Sequence, residues 1–230
     1  VMVGCGKRTP DWLAAAVACA AVHAAPVARL ELQEGDHICI IGGGVADAMQ
    51  HTGWLETLLH SRFPARRLVI RNLAYDGDEI ELTKRLRSAD FGTPDQWLAG
   101  AAPIPKPDVV FAFFGSNEAH AGRAGLEEFK RHVDAFVKHT LAQKYDGVET
   151  PKLVMFSPIA HEDLARPHWP DGKAHNANLQ LYTDAMEEVC QANGVQCVDL
   201  FTPTLEAYAK TPEPLTVDGI PPNERGDREI

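Results

Sequence analysis

The stretch His37-Ile38-Cys39-Ile40-Ile41-Gly42-Gly43-Gly44-Val45-Ala46-Asp47-Ala48-Met49 decides the fold. Its first five residues form a short apolar run. A strand with one wet face alternates polar and apolar residues, and a strand covered on both faces does not. His37 to Ile41 therefore reads as a buried strand of a parallel sheet. The glycines end it. From Ala46 to Phe63, Met49, Trp54, Leu55, Leu58 and Leu59 then recur at helical spacing. A strand, a glycine turn and a helix form the first unit of a doubly wound α/β architecture.

The same alternation continues outward. Arg67 to Leu73, Val109 to Phe114, Leu153 to Phe156 and Gln196 to Leu200 read as further strands. Glu79 to Arg87 reads as a short helix, and Leu126 to Lys144 as a long one with Phe129, Val133, Phe136, Val137 and Leu141 on one face. Asn176 to Ala192 is another helical segment, closed by Gly194. The pattern predicts a five-stranded parallel sheet in a three-layer α/β/α sandwich, without internal repeats or a second domain. Sheets of this kind carry their sites in the loops after the strands. Leu164 to Ala174, rich in Pro, Gly and charge, reads as a long loop at that edge.

The formal net charge is -10. An acidic surface repels phosphates, which argues against nucleic acid as a partner. No clean apolar run in the body of the chain is long enough to span a membrane. Lys7 and Arg8, the apolar run Trp12 to Val22, and small residues in Val22-His23-Ala24 match a secretory signal peptide over residues 1–24. The expected location is therefore secreted or periplasmic, with one domain over residues 30–230. Of five cysteines, Cys39, Cys190 and Cys197 lie beyond that leader. An odd number leaves at least one thiol without a partner in the chain. A bridge between Cys190 and Cys197 is one reading, and two separately buried thiols is the other. No spacing suggests a metal site, and no cofactor is implied.

Four loops carry candidate chemistry. Gly42-Gly43-Gly44 opens a helix, which admits a nucleotide-binding turn. The dinucleotide fingerprint needs glycine or alanine at its sixth position, where counting from Gly42 gives Asp47. Counting from Gly43 puts Val45 where the second glycine belongs, so both registers fail. The other readings are a turn that presents a nucleophile and a plain strand-to-helix connection. Asp47 itself suits a helix N-terminus by charge alone. The remaining loops are Asn72-Leu73-Ala74-Tyr75-Asp76-Gly77-Asp78, Gly115-Ser116-Asn117-Glu118 and Asp218-Gly219-Ile220-Pro221-Pro222-Asn223.

In this order, each after its strand, these blocks resemble the SGNH (GDSL-type) hydrolase family, from about Leu32 to the end of the chain. Gly53-Trp54-Leu55-Glu56, Phe156-Ser157-Pro158-Ile159-Ala160-His161-Glu162 and Val198-Asp199-Leu200-Phe201 are similar to phrases in the same superfamily. The resemblance implies the flavodoxin-like strand order 2-1-3-4-5 and ester hydrolysis. In that family a serine after the first strand attacks the ester. A histidine activates it, and an aspartate orients the histidine. A glycine N–H, an asparagine amide and the serine's own N–H hold the oxyanion.

Carried over, the oxyanion donors are Gly77 and Asn117, and the orienting aspartate is Asp218. The serine position is Gly44, and the histidine position is Pro221. Neither can perform its role, and no Ser, Thr or Cys lies between Gly42 and Ala48 to replace the serine. No histidine follows His175. By the family's loop geometry Ser116 points away from the nucleophile's place. His161, beside Glu162, is a substitute general base on one reading and a structural loop histidine on the other. The expectation is a weak or inactive esterase acting on a small-molecule or carbohydrate ester, or else a silent binder of such a ligand. The family closes with a helix after the last block, where this sequence has only Asn223 to Ile230. That suggests a truncated C-terminus and a less covered sheet.

Overall fold

A computed structural model describes residues 29–81, Leu98 and residues 106–230. The leader, with Cys5 and Cys19, and most of the helix expected over Glu79 to Arg87 lie outside the described residues. β1 (His37–Gly42), β2 (Val69–Asn72), β3 (Val109–Phe113), β4 (Lys152–Phe156) and β5 (Gln196–Val198) form one sheet in the order β2-β1-β3-β4-β5. Every pairing is parallel, with Ile38 opposite both Ile70 and Val109, and Phe113 opposite Phe156. This is the architecture and order that the strand pattern and family resemblance predict.

The period-2 geometry of β1 divides the core. Ile38 and Ile40 face one way, onto Val45, Ala46 and Met49 of α1 (Gly44–Thr52). Cys39 and Ile41 face the other, into a cluster with α3 (Gly122–Leu141) and α4 (Lys173–Asn193). There Phe129, Val133, Phe136 and Val137 of α3 meet Tyr182 and Met186 of α4. Each such buried side chain contributes roughly 1.5–3 kcal/mol over an exposed one. Because both faces are covered, β3 needs apolar residues at every position, and all five are buried.

The single helix expected from Ala46 to Phe63 is two. Gly53 sits at φ +71, its N–H closing α1 on the Met49 carbonyl at 3.0 Å. α2 (Trp54–Arg62) restarts from the same glycine. The left-handed conformation that suits glycine ends one helix and turns the next. Helical periodicity alone does not register such a break, because the apolar spacing continues across it. α5 (Phe201–Lys210), which the periodicity did not mark, follows β5 directly. Cys39 and Cys190 are buried and all three described cysteines are reduced. Cys190 and Cys197 are unbridged, as the second reading expects, with Cys197 only half-buried, and its contact with Cys190, together with burial, raises the Cys197 thiol. Among the described residues no helix is long and apolar enough to cross a membrane.

The segment after the last block forms α6 (Glu224–Glu229), which packs on α1 and α2. Asn223 caps it by accepting the Gly226 N–H at 2.9 Å. A short closing helix is therefore present where the sequence alone suggested none. Asp227 pins it to the helix break: Thr52 Oγ1 donates to its Oδ2, while its buried Oδ1 has no partner. Burial pushes the Asp227 carboxyl up to about 6, against the Trp54 N–H, which lowers it. The folded state therefore holds this proton more tightly than the unfolded chain. Its stabilising contribution is complete below the ordinary value of 3.8 and is lost as pH rises through about 6. In thermal melts across that window the Asp227→Asn variant is expected to lose less stability with rising pH than the parent chain. Identical slopes would show that Asp227 does not titrate there.

Candidate active site

The three sequence blocks converge because β1 ends in Gly42. Its φ is +141, and a Cβ there would lie 2.0 Å from the Phe113 carbonyl oxygen. Only glycine lets β1 and β3 run this close at their carboxyl ends. The Gly43 N–H then donates to the Phe113 carbonyl at 3.0 Å, and the Tyr75 N–H to the Gly42 carbonyl at 3.0 Å. The second block is thus tied to the first. Asn72 ties it again, from Nδ2 to the Ala46 carbonyl of α1 at 2.7 Å.

Asn117 enters from the β3 side. Its Nδ2 donates to the Asp78 carbonyl at 3.2 Å and lies 3.5 Å from where a Cβ on Gly43 would stand. Gly43, Gly44, Asp78, Ser116 and Asn117 line one small pocket, to which Phe113, Ser157 and Pro158 contribute the wall. The structure therefore brings Gly44, the Gly77–Asp78 turn and Asn117 to one place, as the block order implies, and Ser116 lines that pocket too. The nucleophile position is not vacant. Oδ1 of Asp76 lies 2.5 Å from the point a Cβ on Gly44 would occupy.

Glu118 ties the second and third blocks together. Its Oε1 accepts the Ile80 N–H at 2.8 Å, and its Oε2 accepts the Gly115 N–H at 2.9 Å. One half-buried carboxylate thus clamps the second block to the third. Burial pushes this carboxyl up to about 7, with the two N–H donors pulling it down. Glu162 plays the same part on the other side of the edge. Its carboxylate accepts the Leu215 and Thr216 N–H groups and the Thr216 hydroxyl, at 3.1, 2.8 and 2.6 Å. Its own N–H donates to the Gly219 carbonyl at 2.8 Å.

His161 and Asp218 come together, apart from that pocket's lining. Gly219 packs on the His161 ring, and the Asp218 charge raises the His161 proton affinity against a larger lowering by burial. Nδ1 of His161 pairs with Nδ1 of His175 at 3.1 Å, and His175 stacks on His120 with centroids 4.7 Å apart. Burial, then the two neighbouring rings, push His175 down to about 4. The His161 backbone is clasped at both N–H and carbonyl by the Asn176 amide, at 2.7 and 2.9 Å. His161 Nε2 is buried without a polar partner. A general base needs a path from its nitrogen to a water or substrate. This arrangement favours the structural reading of His161, as a brace between the loop after β4, α4 and the Asp218 block. Pro221 holds the hairpin of that block, accepting the Val217 N–H at 2.9 Å. Among the described residues no group of three or more His, Cys, Asp or Glu side chains could hold a metal ion.

Glu118, the partner histidines of His161 and the approach of Asp76 to Gly44 were not identified from the sequence. Glu118 stands beside Asn117 in its block, yet a single acidic residue in a loop carries no sign of burial. Replacing Glu118 with Ala should cost about 1.5–3 kcal/mol, the usual worth of charge-assisted hydrogen bonds. The Ile80 and Gly115 amides should then exchange with solvent faster than in the parent chain. Unchanged protection at both would refute the clamp.

The model of the GDSL-like lipase/acylhydrolase family matches residues 35–229. No curated protein matches the chain. Solved structures share the fold at low identity. An α/β hydrolase enzyme from the metagenome of Lake Arreo, Spain, is 23% identical with a TM-score of 0.62, over 86% of this chain and 92% of its own. A catalytic mutant of an acetylxylan esterase from Geobacillus stearothermophilus is 15% identical with a TM-score of 0.64, over 87% and 92%. A gut microbial diltiazem-metabolizing enzyme is 17% identical with a TM-score of 0.65, over 88% of this chain and 46% of its own. With nearly all of the described domain inside the family match, the chain belongs to the GDSL-like lipase/acylhydrolase family.

Proposed function

We propose that this protein is an exported ester-binding member of its family that hydrolyses acyl esters slowly, with acetylated carbohydrate as the substrate class to test first. The observation that carries this reading is the position of the Asn117 amide, held against the Gly43–Gly44 turn and the Asp78 carbonyl. Together with the N–H groups of Gly44 and Gly77, it supplies donors of the kind that stabilise a tetrahedral oxyanion. The acetylxylan esterase among the structural neighbours supports the choice of substrate. The leader-like residues 1–24 support export to the periplasm or the medium.

The slow rate follows from Gly44 and Pro221. Without nucleophile and base, an oxyanion hole and binding alone leave about 10³–10⁴-fold over water. The same two residues favour the second reading, a silent binder that keeps the cleft and has lost turnover.

Restoring both residues tests the assignment. Gly44→Ser with Pro221→His should raise acetate release from an acetylated xylo-oligosaccharide at least about 100-fold, a small part of what a full triad supplies. Neither single change should raise the rate, because serine and histidine act as a unit. The new Cβ at position 44 meets only the free end of the exposed Asp76 side chain, which can swing away. A folded double variant that shows neither gain in rate nor calorimetric binding of the acetylated sugar would end the esterase reading and the binder reading together.

A further inference from the structure

We infer that Asp76 is the catalytic base of this protein, acting on water from the position that the family's serine would fill. The inference rests on the ester-cleft reading above and assigns that site a residue for its chemistry. Three observations converge on it. An Asp76 carboxylate oxygen lies 2.5 Å from the site of the absent Cβ at position 44, within the reach of a serine hydroxyl. Asp76 directly precedes the donor Gly77, in a loop held by the Tyr75 N–H on Gly42 and the Asp78 N–H on Tyr75, at 3.0 and 3.1 Å. Its side chain is exposed, so water reaches it, unlike Nε2 of His161. It also stands at the start of α1, where Gly43 offers no capping side chain and a negative charge is favoured.

The chemistry closes without a histidine. A serine hydroxyl must lose a proton to a neighbouring base before it attacks, and Pro221 provides none. A carboxylate needs no such partner. As the oxygen of a water bonds to the acyl carbon, Asp76 takes that water's proton. The carbonyl electron pair moves onto oxygen, where the Gly44 and Gly77 N–H groups and the Asn117 amide receive it. On collapse the bond to the alcohol oxygen breaks, and the protonated Asp76 returns its proton to the departing alkoxide. Ester and water become acid and alcohol, and the carboxylate is regenerated. Direct attack by Asp76 on the acyl carbon is the less productive route. The tetrahedral adduct would expel the carboxylate, a far better leaving group than an alkoxide, and revert to ester.

The test uses the full chain with an acetylated xylo-oligosaccharide and measures acetate release. Asp76→Asn, which keeps the shape, should lower the rate about 100-fold, the lower end of what a positioned acid–base group contributes. Asn117→Ala should lower it too. Asp47→Asn, which removes an acidic charge from the same helix turn, should leave it unchanged. The parent rate should fall in heavy water, and acid-quenched protein should carry no acetyl group. An Asp76→Asn variant as fast as the parent, or an acetyl adduct on Asp76, would overturn the inference. A silent parent chain whose Gly44→Ser, Pro221→His variant is active would overturn it while leaving the ester cleft intact. Silence in both would overturn it too, and absence of calorimetric binding of the acetylated sugar besides would remove the cleft reading as well.

Discussion

The approach of β1 to β3 at Gly42 is the constraint on which the site depends. Parallel strands normally sit about 4.8 Å apart along the hydrogen-bonding direction. At Gly42 the backbone is turned so that any Cβ would lie inside the Phe113 carbonyl. That turn frees the Gly42 carbonyl to receive Tyr75 and points the Gly43 N–H at Phe113. Three strand ends are thereby tied within a few ångströms, and the loops that leave them have little freedom over where they go. The glycine carries no chemistry. It sets the positions of Gly44, the Gly77–Asp78 turn and Asn117.

Two glutamates, Glu118 half-buried and Glu162 buried, extend this order outward. Glu118 links the Gly77 loop to the Asn117 loop, and Glu162 links the loop after β4 to the last block. Each takes backbone N–H groups that would otherwise be buried without partners, a burden the fold must meet in any case. Meeting it with a charged side chain makes each link stiffer than a turn alone, since bonds to ionised acceptors are the stronger kind. Burial works against ionisation, as the shift at Glu118 shows. The loops that carry Gly77 and Asn117 are therefore held by side chains outside the pocket, and this support is present in a chain whose Gly44 and Pro221 have no reactive side chains.

The strands were legible because a doubly covered sheet demands apolar runs, and Val109–Phe113 meets that demand at every residue. The α1–α2 break was not, since Gly53 interrupts the backbone but not the apolar spacing. α6 escaped notice for a related reason. Glu224–Glu229 is almost wholly polar, and its place is fixed by the Asn223 cap and the Asp227–Thr52 contact rather than by an apolar stripe. At the sheet edge, the order of the blocks anticipated that Gly44, the Gly77–Asp78 turn and Asn117 would meet, because position along an α/β chain maps onto one sheet edge. The surroundings of His161 had no such map. Its partners His175 and Asn176 come from the start of α4, and only folding places them against the loop after β4. The same holds for Asp76, whose meaning lies in a distance to Gly44 that no spacing in the sequence encodes.

Intolerance and tolerance to substitution alternate along the edge almost residue by residue. Gly42 cannot accept a side chain, because the atom it would strike is backbone of a central strand. Gly219 is barred by the ring of His161, whose backbone is clasped by Asn176. Gly44, two residues from the first, would meet only the mobile end of an exposed carboxylate. The positions that build the cleft are thus locked by packing, and the position that would hold the nucleophile is not. A family with this division can lose its reactive hydroxyl without disturbing the sheet. The same opening lets the Asp76 carboxylate of the neighbouring loop approach Gly44, where a side chain at Gly42 or Gly219 would be refused by its surroundings.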